Sequence, residues 1–217
     1  MELPTTETTL AVRQLPRLKR LLNKYRQNKT MQSALLQLSE LASAVTDMDA
    51  FYNALESVIK TLLVTDSFHI ALLNSSNELK LTHCHNPLEK GLCEQVDLTH
   101  WQKSLSGLVV MRQQKLHCSA NKRRVLANAD EIILYDSEFK DWLGVPLKRN
   151  QQVIGVIALQ SYDEALSFSA KDCQILEGIA EHLVTAIDRV RSRELLESSI
   201  EQRTLVLTQT NQQLQRE

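Results

Sequence analysis

The chain has 217 residues, 43% of them hydrophobic and 24% charged, with 25 Lys and Arg against 26 Asp and Glu. That suffices for one medium domain with attachments, while near-zero net charge and 5% aromatics exclude an electrostatic nucleic-acid binder or a base-stacking platform. No apolar run approaches ~20 residues and the N-terminus lacks a basic-then-apolar export pattern, so the expectation is a cytoplasmic chain with no integral membrane segment.

Four cysteines stand at 84, 93, 118 and 173 without Cys-x-x-Cys spacing. In a cytosolic chain they read as free thiols.

Residues 1–12 are Thr-rich and patternless. From Arg13 to Lys29 there are seven basic residues and no acidic ones, with Leu15, Leu18, Leu21, Leu22 and Tyr25 at helical spacing. This predicts a short basic amphipathic helix. Its apolar face is small and lacks Trp or Phe, which favours packing on its own domain or a dimer mate over a membrane surface. Thr30 is placed to cap the next helix, where Met31, Leu35, Leu38, Ala42 and Val45 form a narrow seam suited to another helix. Asp49 is the expected N-cap of a helix running to Leu63, with Phe51, Leu55, Val58, Ile59, Leu62 and Leu63 inward.

Strands follow at Ser67–Leu73 and Glu78–His85, joined by an Asn-Ser-Ser-Asn turn. Period two puts Leu79, Leu81, His83 and His85 on one face. Residues 86–98 are irregular. Trp101–Gln114 reads as a helix with Leu105, Leu108, Val109 and Met111 inward. A short strand at Lys115–Cys118 and a short helix with a loop over Asn121–Asp136 come next. Then Asp141–Tyr162 reads as two strands. Leu143, Val145 and Leu147 alternate with Trp142, Gly144 and Pro146. Lys148-Arg-Asn-Gln151 turns, with Asn150 best suited to a left-handed backbone. The return strand Val153–Gln160 is apolar on both faces, which predicts cover on both. Finally Ser169 is placed to cap a long helix, with Leu176, Ala180, Leu183, Ile187 and Val190 at four-three spacing. From Arg191 to Glu217 there is neither Gly nor Pro, and Leu196, Ile200, Leu207 and Leu214 keep spacings of four or seven. Arg203 and Thr210 share that seam, which makes it a weak coiled coil.

Three pieces resemble one family in order and spacing. They are Trp142-Leu-Gly-Val-Pro-Leu147 before Val153-Ile-Gly-Val-Ile-Ala-Leu159, then Phe168-x-x-x-Asp172, then Leu176-x-x-Ile-Ala-x-x-Leu183 with Ala186-Ile187. The chain resembles the GAF domain over roughly residues 30–190. The resemblance implies an α+β fold with a central antiparallel sheet of about six strands. Helices would cover one face and a loop-and-helix lid, Asn86–Gln114 and Asn121–Glu138, the other. The tail, Ile200-Glu-Gln-Arg-Thr-Leu205 and Leu207-Thr-Gln-Thr-Asn-Gln-Gln-Leu214, resembles the signalling helix that precedes GGDEF, EAL or histidine kinase domains in bacterial sensors. The expected division is residues 1–29, a GAF domain at 30–190 and a signalling linker at 191–217.

The family binds small ligands beneath its lid, so His83, His85, Trp101, Met111, Tyr135 and Trp142 are the candidate ligand residues. No catalytic residue and no metal site is assigned, and no cofactor can be named. His83 and His85 have metal-ligand spacing but no third ligand at a fixed short distance. Cyclic-nucleotide binding is disfavoured, because Cys173 follows Asp172 where that subfamily has Glu, and Phe168 lies forty-six residues beyond Lys122. Cys84-His85 matches a bilin-attachment pair but sits on a strand. Cys84, Cys93 and Cys118 invite comparison with free-methionine sulfoxide reductases, yet Cys118 lies twenty-eight residues before Pro146, too far for that pattern.

The reading is a non-catalytic sensory and dimerisation module. A homodimer would form through Leu38, Leu183, Ile187, Leu196, Ile200, Leu207 and Leu214. A small-molecule or redox signal would pass to a downstream output domain for cyclic-di-GMP metabolism. The alternatives are a thiol-dependent redox enzyme and a structural dimerisation domain without a ligand.

Overall fold

Strand β4 (Asp141–Arg149) and strand β5 (Gln152–Ser161) are joined by two residues, Asn150 and Gln151, both with positive φ (49° and 67°). Two left-handed residues match the twist of the strands they join. In the computed structural model, residues 31–85, 98–133 and 139–214 are described, with five positions between 21 and 29; side chains 98, 99 and 205–214 are not. Strand β1 (Ser67–Leu73) pairs with β5, β2 (Leu79–His85) with β1, and β3 (Leu116–Ser119) with β4. The result is a five-stranded antiparallel sheet, β2-β1-β5-β4-β3, among the described residues, where about six strands are expected from sequence.

The sheet separates two cores. On one face Leu143, Val145, Leu147, Ile157, Leu159, Phe68 and Ile70 meet three helices. These are α1 (31–44), α2 (Met48–Leu62) and α5 (Ala170–Leu214). On the other face Trp142, Val156, Ala158, Ala71 and Leu79 meet a lid. The lid comprises a 3-10 helix (Leu98–Lys103), α3 (Leu105–Arg112) and α4 (Ala120–Asn128). The hairpin apolar on both faces is therefore covered on both.

Two register shifts reset which side chains face which core. One, between Leu147 and Lys148, sends Val153 to the lid and Ile154 to the helices. The other lies between Ile70 and Ala71, where Thr82 is left without a cross-strand partner. Strict alternation places Leu79, Leu81, His83 and His85 together; the bulge corrects this. Leu79 and Leu81 lie opposite Leu73 and Ala71 toward the lid, whereas His83 and His85 lie opposite Ile70 and Phe68 toward the helices.

Helix α2 is capped by Asp47, whose Oδ1 accepts from the Asp49 N–H, two residues before the expected cap. Helix α5 opens on a reciprocal box: Ser169 Oγ accepts from the Asp172 N–H, and Asp172 Oδ2 accepts from the Ser169 N–H. Over Cys173–Ala186, α5 is largely buried, and Leu35 of α1 packs on Gly178. From residue 191 to 204 every side chain is exposed. Leu38 and Leu183 are 0% exposed within the protomer. Their apolar surface is used by the chain's own core, which corrects the expectation that they meet a second copy.

Two glycines test this packing in opposite directions. A Cβ on Gly155 would lie 2.3 Å from the Ala71 carbonyl oxygen, whereas one on Gly178 would meet Leu35 no closer than 3.5 Å. Gly155→Ala is expected to destabilise by about 1–3 kcal/mol through overpacking. Gly178→Ala is expected to stabilise α5 by up to about 1 kcal/mol. Urea denaturation of the two variants measures both.

Candidate functional site

The lid side of the sheet is built from residues that alternate across β1, β4 and β5. Trp142 is 1% exposed, and its indole lies across Gly144, where an added Cβ would fall 2.2 Å from the ring. Cys118 of β3 stands directly opposite Trp142. Trp101, on the 3-10 helix, packs partly buried against the same cluster. Its carbonyl accepts from both the Ser104 N–H and the Ser104 hydroxyl. Ser104 Oγ in turn caps α3 by accepting from the Gly107 N–H at 2.9 Å. A Cβ on Gly107 would lie 1.9 Å from the Trp101 oxygen, so only glycine permits this close turn from 3-10 helix to α3.

Beneath α3 lies a polar contact that the sequence reading misses. His69 of β1 faces the lid, opposite Cys84 on β2 and Ala158 on β5. Its Nε2 is 3.0 Å from the Ser106 hydroxyl of α3. The residue keeps some accessible surface, but protein atoms crowd its ring. Burial pushes its pKa down to about 4, which keeps the imidazole neutral at neutral pH. The available signal is positional: His69 shares the period-two face of Ala71 in a strand predicted to be covered on both sides.

The candidate ligand residues divide. Trp101 and Trp142 come together in the lid-side core. His83 and His85 face the helices instead. His83 stacks on Tyr52 of α2 at 4.7 Å between ring centroids, and His85 Nδ1 lies 3.3 Å from Glu56 Oε1. Burial lowers the His83 pKa, and its Nε2 is enclosed without a hydrogen-bond partner. Met111, expected inward, is 51% exposed on the outer side of α3. The helix there is shorter than its pattern suggests, because Ser104 starts it late and Gln113 ends it at φ 54°. Tyr135 lies outside the described residues, as do Cys93 and the middle of the first lid segment.

Two clefts lie away from the lid core. One of about 650 Å³ runs between Gln113–Lys115, the β4 edge at Val145, Pro146 and Lys148, and α5 at Glu177–Val184. The other, about 370 Å³, lies between the end of α2 and β1, with Lys60, Asp66 and His85 on its walls. Among the described residues no cluster of three His, Cys, Asp or Glu can hold a metal ion, and no helix is long and apolar enough to cross a membrane.

The thiols are poorly disposed for chemistry. Cys118 is fully buried, and burial pushes its pKa up to about 11, the opposite of an activated thiolate. Cys173 is likewise raised, first by burial and then by Glu177. Cys84 is disulfide-bonded, which corrects the expectation of a free thiol there, whereas Cys118 and Cys173 are free. Spacing along a chain does not report which thiols a fold brings together.

The GAF domain family profile matches residues 35–187. Among solved structures, the chain resembles the GAF domain of an Acinetobacter phosphoenolpyruvate-protein phosphotransferase. The two share 21% identity at a TM-score of 0.55, over 77% of this chain and 95% of that one. It also resembles free methionine-R-sulfoxide reductase from Neisseria meningitidis, solved with its substrate, at 17% identity and a TM-score of 0.58, over 75% and 91%. A third is the GAF domain of a two-component sensor histidine kinase from Bacillus halodurans, at 19% identity and a TM-score of 0.51, over 69% and 99%. At these identities the likeness is one of fold. No curated protein matches the sequence.

The neutral His69 predicts acid sensitivity. Its folded pKa is below the unfolded value, so its contribution is complete above pH ~6.5 and declines as pH falls toward 4. The loss is at most about 3 kcal/mol. Denaturant-derived stability measured between pH 7 and pH 4 should fall less in His69→Gln than in the native chain.

Proposed function

The chain belongs to the GAF domain family, and from that premise we propose that it is a non-catalytic sensory and dimerisation module relaying a small-molecule or redox signal through α5 to a downstream output domain. The observation that carries the reading is the course of α5. Its 45 residues, about 68 Å at 1.5 Å per residue, run unbroken from the core under β4 into a stretch exposed on all sides. A helix rooted so firmly at one end and bare at the other is suited to carry a change of orientation outward. Leu195, Leu196 and Ile200 are 62–65% exposed on that bare part. Leu196 and Ile200, four residues apart, put exposed apolar surface on one side of the helix, which favours a helical partner.

The proposed partner is the same helix of a second copy, in parallel, with Leu207 and Leu214 continuing the spacing. Arg203 and Thr210 interrupt that seam and weaken it, and a weak contact between two helices is one that an upstream domain can bias. The likeness of Ile200–Leu214 to signalling helices supports an output in cyclic-di-GMP metabolism, of the GGDEF or GGDEF–EAL kind. In this arrangement residues 30–190 sense and residues 191–217 link. The buried, high-pKa Cys118 counts against a thiol-dependent reductase of the Neisseria kind.

Light scattering tests the relay. The full chain should have a dimeric mass, and Leu196→Glu with Ile200→Glu should have a monomeric one at the same helix content. A full chain that is monomeric at tens of micromolar would end the dimer proposal.

A further inference from the structure

Strand β3 pairs with β4 only from Ser119 opposite Asp141 to Leu116 opposite Gly144. Beyond Gly144 that edge of β4 has no neighbouring strand among the described residues. Gln113, left-handed at φ 54°, turns the chain from α3 toward β3, and Gln113, Gln114 and Lys115 line the space beside the edge. The cleft of about 650 Å³ opens there, between β4 and α5, and its size lies within the range of small-molecule sites. The space beneath the lid is taken: Trp142, Val109, Val156 and Ala158 belong to one buried cluster, each at most 1% exposed. Two ion pairs bracket the cleft along α5. Lys115 holds Glu177 at 3.0 Å, and Arg149 holds Asp188 at 2.9 Å. Between them Ala180, Glu181 and Val184 of α5 line the opening.

The lining selects a class of ligand. Val145, Pro146, Ala180 and Val184 supply an apolar floor without an aromatic ring. Two lysines and two glutamates surround it, so the cleft offers a phosphate no excess of positive charge. A nucleotide would bring its phosphates against both glutamates and find no ring to stack on. Lys115 and Glu177 neutralise each other. That leaves Lys148 on the strand wall and Glu181 on the helix wall, whose side chains form neither ion pair nor hydrogen bond among the described residues. Gln113 and Gln114 add amide donors and acceptors at the rim. A further strand is a poor occupant, because Pro and Lys are the residues that blunt a sheet edge, and the open stretch carries Pro146 and Lys148. A small molecule with one positive end, one negative end and an aliphatic body matches floor and walls together.

We propose that this cleft binds a small aliphatic zwitterion, a free amino acid or a short peptide, with its carboxylate at Lys148 and its ammonium at Glu181. The bound molecule joins β4 to α5 between the two ion pairs. It acts on the long helix directly, without passing through the lid. That consequence for signalling rests on the relay reading; the binding itself does not.

Methyl NMR of the full 217-residue chain, titrated with leucine and with leucyl-leucine, tests the site. The Val145 and Val184 methyl signals should shift saturably with at least one of them at millimolar concentration, and the one that saturates first distinguishes a free amino acid from a peptide. Leucyl-leucine blocked by acetyl and amide groups should bind at least roughly threefold more weakly. Lys148→Gln and Glu181→Gln should each weaken binding of the unblocked ligand by about threefold. Both side chains are exposed, so neither change threatens the fold. No saturable shift with either zwitterion, equal affinity for the blocked dipeptide, unchanged affinity in both variants, or shifts confined to Leu108, Val109 and Val156 under the lid overturns the proposal. The readout lies within the domain, so it stands whether or not light scattering finds a dimer.

Discussion

Both cores depend on one ladder, the pairing of β4 with β5. Its residues alternate between two apolar faces, and neither face can be left in water. Leu143, Val145, Leu147, Ile157 and Leu159 require the helices on one side; Trp142, Val156 and Ala158 require the lid on the other. Burying a large aliphatic side chain is worth about 2 kcal/mol, so a hairpin carrying several on each face fixes the order of layers. Everything else is arranged around this wall. The two left-handed residues at its tip set its register, and Asp141 at its base accepts from the Phe168 N–H just before α5.

The wall also decides how a change on one side can reach the other. Lid helices α3 and α4 do not pack on α5 in the lid core; they pack on the sheet. Trp142 lies on the lid face and its neighbour Leu143 beneath α5, so a shift of one strand is felt in both cores. Close-packed interiors transmit such shifts instead of absorbing them. Two polar contacts reach into the interior of this architecture: His69 with Ser106 under the lid, and Asp141 with Phe168 at the hairpin base. Each is satisfied by a specific neighbour, and each would be costly to break without a new partner.

Much of the fold is legible along the chain because the driving pattern is local. The period-two hairpin, the Ser169 cap and the four-three run of α5 are each written within a few residues. The candidate site is less legible. Trp101 and Trp142 both lie in the lid-side core, but His69 and Ser106, thirty-seven residues apart, have no signal as a pair. Met111 lies outside because, at about 100° per residue, it points away from the side of α3 that Leu105, Leu108 and Val109 share.

The sequence by itself determined the family, the sidedness of β4 and β5, and the long helix leaving the domain, because hydrophobic period and turn chemistry are properties of consecutive residues. Only the tertiary structure decided which face His83 and His85 present, since one extra residue opposite Ile70 and Ala71 reverses the side of everything beyond it. It also decided that Leu38 and Leu183 serve the protomer's own core while Leu196 and Ile200 stay exposed. A helical seam has the same spacing whether its partner is the same chain or another, and burial alone distinguishes the two.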